Sequence, residues 1–223
     1  MKKRVRKLRA IETVNLRSNK RVAGLYAITA DGLSTEELLS RSHLVLRGGA
    51  QVLQYRNKLA NDALKFEQAS ALRRLTQEFG VSLIINDDLA LAIKVDADGV
   101  HLGASDGEIA VARERLGTDK IIGASCYNRL DLALKAAEQG ADYVAFGAFF
   151  PSEIKPNAPR ADIALLRQAR AELNLPVVAI GGITVQNGAT LITAGADALA
   201  VISAVYAAPD IELAAQEFSN LFN

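Results

Sequence analysis

From Val22 onward the chain changes its hydrophobic period at regular intervals, and this alternation constrains the fold more than any other feature. Short runs rich in β-branched and aromatic residues give way to longer stretches with apolar residues three and four apart, the patterns of strands and amphipathic helices. The predicted strands are Val22–Thr29, Ala50–Arg56, Val81–Asn86, Asp98–Leu102, Lys120–Ser125, Asp142–Gly147, Pro176–Gly181 and Asp197–Ser203. Runs such as VSLII and PVVAI are nearly continuous in apolar residues, as parallel strands covered on both faces are. Helices are predicted from Ser34 and near Asn61–Phe79, Leu89–Val95, Gly107–Leu116, Leu130–Gln139, Asp162–Leu173, Val185–Ala194 and Ile211–Phe222. In the first, Ser34 can cap the helix while Glu37 reaches back to the Ser34 amide.

The junctions repeat too. Gly49-Ala50-Gln51, Gly140-Ala141-Asp142 and Gly195-Ala196-Asp197 each place glycine just past a helix, where a left-handed residue is needed. Asp96-Ala97-Asp98 stands at the same point before the fourth strand. Eight strand–helix units of about 25 residues, without a break in composition, predict one (β/α)8 TIM barrel, an α/β fold, over residues 22–223 as a single domain. An open doubly wound sheet is disfavoured, since no G-x-G-x-x-G follows the first strand.

Charge is unevenly spread along the 223 residues. The formal total is +1, yet residues 1–21 hold nine Lys/Arg against Glu12, which leaves the rest acidic. This basic segment reads as a disordered N-terminal extension with no requirement for nucleic acid. A single cysteine, Cys126, excludes an intrachain disulfide framework and fits a cytoplasmic protein. His43 and His101 are too few for a three-histidine metal centre. The uncharged stretch Leu173–Ala196 is long enough to span a membrane, but Pro176, four Gly and several polar residues make it a strand, a loop and a helix instead. No membrane partner is expected, and oligomeric state is left open.

Barrel active sites gather at the C-terminal ends of the strands. There this sequence places Gln54-Tyr55-Arg56-Asn57-Lys58, Asn86-Asp87-Asp88, His101 to Asp106, Ser125-Cys126-Tyr127-Asn128, the turn-rich Phe149–Pro156 segment, Gly181-Gly182 and Ile202-Ser203. Backbone amides after strands seven and eight suit a phosphate. Arg56, Lys58 and Lys155 form a second positive cluster. Asp87 and Asp106 beside phosphates call for a cation, and two carboxylates with phosphate oxygens are a usual Mg²⁺ environment. The substrates so implied are one monophosphate and one metal-bound diphosphate. Structural readings compete: Asp88 as a helix cap, Gly181-Gly182 as a plain tight turn, His101 as a packed strand residue rather than a base, and Cys126 as inert.

In order along the chain, GLYAIT at Gly24, QYRNK at Gln54, IND at Ile85, DGVHLG at Asp98, GAS at Gly123, FFPSEIK at Phe149, AIGGI at Ala179 and AVIS at Ala200 resemble the thiamine phosphate synthase family. The resemblance implies a transferase that couples a hydroxymethylpyrimidine diphosphate to a thiazole phosphate and releases pyrophosphate. It also implies that Gln54, Tyr55, Arg56, Asn57, Lys58, Asn86, Ser125 and Lys155 contact the pyrimidine diphosphate, with Arg56, Lys58, Ser125 and Lys155 carrying the catalysis. Asp87 and Asp106 then hold Mg²⁺, while Ser152, Ile154, Gly182, Ile202 and Ser203 bind the thiazole phosphate. Three positions depart from the family pattern. Asn57 stands for Asp, Tyr127-Asn128 for a small residue and His, and Ser-Glu-Ile-Lys for Thr-x-Thr-Lys. Ile154 therefore lacks a hydroxyl, and a raised KM for the thiazole substrate is expected. The rival readings are a thiazole tautomerase on the same barrel and a phosphate-binding sensor without catalysis.

Overall fold

The computed structural model describes residues 22–103, 107–151 and 160–223. Eight parallel strands close into a barrel in chain order: β1 (Gly24–Ile28), β2 (Val52–Tyr55), β3 (Ser82–Asn86), β4 (Gly99–Leu102), β5 (Ile121–Tyr127), β6 (Tyr143–Phe146), β7 (Val177–Ile180) and β8 (Ala198–Val201), with β8 pairing back onto β1. Among the described residues the helices are α1 (Thr35–Arg47), α2 (Asp62–Phe79), α3 (Leu89–Lys94), α4 (Ile109–Leu116), α5 (Leu130–Glu138), α6 (Ile163–Glu172), α7 (Val185–Thr193), α8 (Ser203–Tyr206) and α9 (Ile211–Asn220). The expected single barrel is what the chain forms. Residues 1–21, read above as a basic extension, lie outside the described residues. No helix among those described is long and apolar enough to cross a membrane, and Leu173–Ala196 resolves into β7, a turn and α7.

Local chemistry sets the element ends. Ser34 Oγ accepts from the Glu37 amide at 3.2 Å, and the Ser34 amide donates to Glu37 Oε2 at 3.1 Å, the expected capping box. Gly49, Gly140 and Gly195 take φ of 96°, 96° and 116°, and Asp96, with φ 50°, enters the same left-handed region at the matching point. The last predicted strand is corrected: it stops at Val201, and Ser203 opens α8. Ile202 leaves the strand with φ −116° and ψ −88°, and its carbonyl accepts from the Val205 and Tyr206 amides.

Alternation along the strands makes two apolar layers. Leu25, Leu53, Leu83, Val144 and Leu199 face the helices in the outer layer. Tyr26, Ile28, Val52, Ile84, Tyr143, Val178 and Ala200 fill the barrel interior. The inner layer is the floor on which the site is built.

Candidate active site

Two adjoining cavities open among the residues that follow the strands. The larger, about 560 Å³, takes Gln54, Asn86 and Ser125 from β2, β3 and β5, Arg56 from just after β2, and Gly182, Ile202 and Ser203 from beyond the ends of β7 and β8. The smaller, about 320 Å³, is lined by Tyr55, Arg56, Asn57, Lys58, Lys65, Asn86, Asp87 and Asp88. Arg56 and Asn86 are walls of both. The structure thus brings together, around a shared partition, the predicted residues that it describes.

The end of β2 is held by β1. Thr29 Oγ1 donates to the Arg56 carbonyl and accepts from the Arg56 amide, both at 2.8 Å. Asp31 completes the clamp: its carboxylate takes Arg56 Nη1 at 2.5 Å and the Lys58 amide at 2.8 Å. Asp31 is a site residue that sequence reading missed. The signal was available, because Ala30-Asp31-Gly32 follows the first strand as the other rim segments follow theirs. Arg56 is mostly buried by this contact, while the Lys58 side chain stays about half exposed and reaches Asp87 Oδ2 at 3.3 Å.

Asp87 and Asp88 separate by role. Asp88 Oδ1 accepts from the Leu91 amide at 2.8 Å and caps α3. Asp87 sits at φ 63°, a left-handed conformation uncommon for a residue with a side chain, and its carboxylate meets Lys58. Tyr55 and Asn57 were expected among the diphosphate contacts. Strand alternation sends Gln54 into the main cavity, while Tyr55 and Asn57 line the smaller one and reach α2 with their polar ends. Tyr55 Oη donates to Gln68 Oε1 at 2.9 Å, and Asn57 Nδ2 donates to the same oxygen at 3.1 Å. Both therefore brace the loop that carries Arg56 and Lys58.

Across the barrel, Gly181 and Gly182 have φ of 105° and 61°. A Cβ at Gly182 would come 2.2 Å from the Pro151 carbonyl oxygen, so the turn needs glycine to pack beneath the β6 loop. The plain-turn reading accounts for the glycines, and the phosphate reading is compatible with Gly182 lining the cavity. His101 is packed, as expected of a strand residue, yet its ring also lines the cavity and its Nε2 lies 2.8 Å from Ser125 Oγ. Tyr127, one of the departures from the family pattern, sits at φ 53° and is a cavity wall. Cys126 points away, buried among outer-layer side chains, and burial pushes its thiol up to about 12, which keeps it protonated and unreactive at neutral pH. Asp106, Ser152, Ile154 and Lys155 lie outside the described residues.

The sequence matches the thiamine monophosphate synthase family over residues 25–205. The chain belongs to that family. Thiamine-phosphate synthase from Methylobacillus flagellatus is 60% identical over 202 residues, which cover 91% of this chain and 96% of that protein. Its counterpart from Thiobacillus denitrificans is 54% identical over 199 residues, covering 89% and 94%. Among solved structures, thiamine phosphate pyrophosphorylase from Pyrococcus furiosus superposes with a TM-score of 0.82 at 36% identity, covering 92% of this chain and 98% of that one. A 3-hexulose-6-phosphate synthase at 21% identity and a TM-score of 0.66 shares the barrel fold. As a family member the protein is a transferase of thiamine biosynthesis. Neither the tautomerase nor the sensor reading gains support from these matches.

Proposed function

We propose that this thiamine-phosphate synthase joins 4-amino-2-methyl-5-hydroxymethylpyrimidine diphosphate to 4-methyl-5-hydroxyethylthiazole phosphate, or to its carboxylated form with loss of CO₂, releasing pyrophosphate. The observation that carries this reading is the pair of cavities. A largely apolar one suits neutral rings, and a cationic one beside it, sharing Arg56 and Asn86, suits the diphosphate. The thiazole phosphate is assigned to the other rim, with Gly182, Ile202 and Ser203 as described neighbours and Ser152 and Ile154 as further expected ones.

The chemistry is a substitution without a protein nucleophile. The bond between the pyrimidine methylene and the diphosphate oxygen breaks, and its electron pair leaves with pyrophosphate. The electron-rich aminopyrimidine supports the methylene cation, and the thiazole nitrogen then donates its lone pair to form the new C–N bond. Arg56 and Lys58, with Lys155, stabilise the charge that develops on the leaving group, fixed dipoles and charges being most effective where charge appears in the transition state. Gln54, Asn86 and Ser125 orient the pyrimidine, so much of the acceleration is positioning.

Asp87 presents oxygen-only ligands on the wall of the smaller cavity, a donor type that fits Mg²⁺. Asp87 and Asp106 would hold the ion, and its chemistry would be neutralisation of the diphosphate. Lys58, now on Asp87, would be released toward the phosphate oxygens. Incubation of the protein with both substrates and MgCl₂ should yield thiamine phosphate and pyrophosphate in equal amounts. Absence of both products, with the two substrates still bound, would return the sensor reading to favour.

A further inference from the structure

A chain of hydrogen bonds crosses the barrel interior beneath the main cavity, and the reaction outlined above leaves it unexplained. Gln54 Nε2 donates to Tyr26 Oη at 2.9 Å, and Tyr26 Oη lies 2.7 Å from Tyr143 Oη. Tyr143 Oη lies 2.9 Å from His101 Nδ1, and His101 Nε2 lies 2.8 Å from Ser125 Oγ. The chain runs from β2 through β1, β6 and β4 to β5, and it ends on Gln54 and Ser125, two of the three side chains assigned to the pyrimidine. Its middle is built for it. A Cβ at Gly123 would come 2.0 Å from Tyr143 Cζ, so glycine on β5 makes room for that ring.

Counting protons gives the chain a direction. Each phenol has one proton, and burial raises both Tyr26 and Tyr143 above the ordinary tyrosine value, so both stay protonated at neutral pH. With Gln54 donating to Tyr26, the Tyr26 proton goes to Tyr143 and the Tyr143 proton goes to the lone pair of His101 Nδ1. A neutral imidazole that accepts at Nδ1 carries its hydrogen on Nε2. That hydrogen goes to Ser125 Oγ, and the Ser125 proton is left to face the cavity.

We propose that Tyr26 and Tyr143 are positioning residues that hold His101 as its Nε2-protonated tautomer, so that Ser125 donates its hydroxyl proton to an unprotonated ring nitrogen of the bound pyrimidine. The walls nearby, Ile28, Ala145, Val178 and Ile180, are apolar and suit a neutral ring better than a phosphate. The identity of that ring rests on the proposed function; the direction of the chain does not.

His43 and His101 are the protein's two histidines. Two-bond ¹H–¹⁵N spectra of the ¹⁵N-histidine-labelled, ligand-free protein at mildly alkaline pH, assigned with His43→Gln, therefore read the tautomer directly. His101 is expected as a neutral ring protonated on Nε2, and a ring protonated on Nδ1 overturns the proposal. In Tyr143→Phe the His101 signals should move toward mixed tautomers. The same variant should lose roughly 10–100-fold in kcat/KM for the pyrimidine diphosphate, the usual scale for a lost orienting partner, with KM for the thiazole phosphate unchanged. A folded Tyr143→Phe protein with wild-type kcat/KM overturns the proposal. If the wild type forms no thiamine phosphate, the substrate reading fails while the tautomer spectrum still decides the direction of the chain.

Discussion

At the N-terminal end of the barrel, Asp98, Asp142 and Asp197 stand just before β4, β6 and β8, and each does the same two things. Each accepts a backbone amide from the preceding strand, from Leu83, Ile122 and Val177 at 2.9, 2.8 and 2.9 Å. Each also pairs with an arginine from a helix, Arg73, Arg113 and Arg170. At the C-terminal end, Asp31 also takes an arginine and a backbone amide, but the arginine is Arg56, a wall of both cavities. One chemical device therefore serves two purposes. Repeated away from the two cavities, it stitches neighbouring strands and helices. Used at the rim, it fixes a cation on the wall that both cavities share. An ion pair marks a site by what it faces.

That contrast can be broken or sharpened by substitution. Arg56→Ala should have the largest effect, a loss of about 10³ in kcat/KM, the scale for removing one preorganised charge donor, with the melting temperature unchanged. A variant within a few-fold of wild type would remove Arg56 from the leaving-group role. Asp87→Asn should keep the fold and lose about 10²-fold in activity, the neutral amide being a poor ligand for a divalent ion; wild-type turnover would refute the metal assignment. Asp31→Asn should cost about 10-fold or more in kcat/KM, since Arg56 loses its charged anchor and precise placement governs rate. If it lowered only the melting temperature, the rim device would be structural like its counterparts below. Ile154→Thr restores a hydroxyl and should lower KM for the thiazole phosphate about 5-fold, the worth of one added hydrogen bond; an unchanged KM would dismiss the expectation. Asp142→Ala should leave kinetics alone. It leaves the Ile122 amide and Arg113 without this partner and should cost about 1–3 kcal/mol, read as a melting temperature lower by several degrees. A kinetic defect there would erase the distinction between the two ends.

Much of this was legible in the chain. Periodicity located the eight units, and Gly49, Gly140 and Gly195 marked their junctions because a left-handed residue after a helix favours glycine. The rim residues could be read because barrel topology sends every strand's C-terminal end to one face. Other features could not be read in isolation. Tyr55 and Gln54 are neighbours in one motif, yet alternation put Gln54 on the main cavity and Tyr55 on the smaller one with its hydroxyl on Gln68. The position of Asp31 after the first strand was legible, but its partners were not, since Arg56 and Lys58 lie some 25 residues further along the chain.

The barrel, its caps and the band of residues from which a phosphate-handling site could be made depend on local periodicity and on short-range hydrogen bonding, and so are written in the chain. Which members of that band share a wall, that Asp31 anchors Arg56, and that Gln54 and Ser125 are joined through two buried tyrosines and a histidine follow from the closed fold alone. Those contacts link residues as far apart as Tyr26 and Tyr143, 117 positions along the chain. Closing the sheet puts them within hydrogen-bond distance, and no local pattern records that closure.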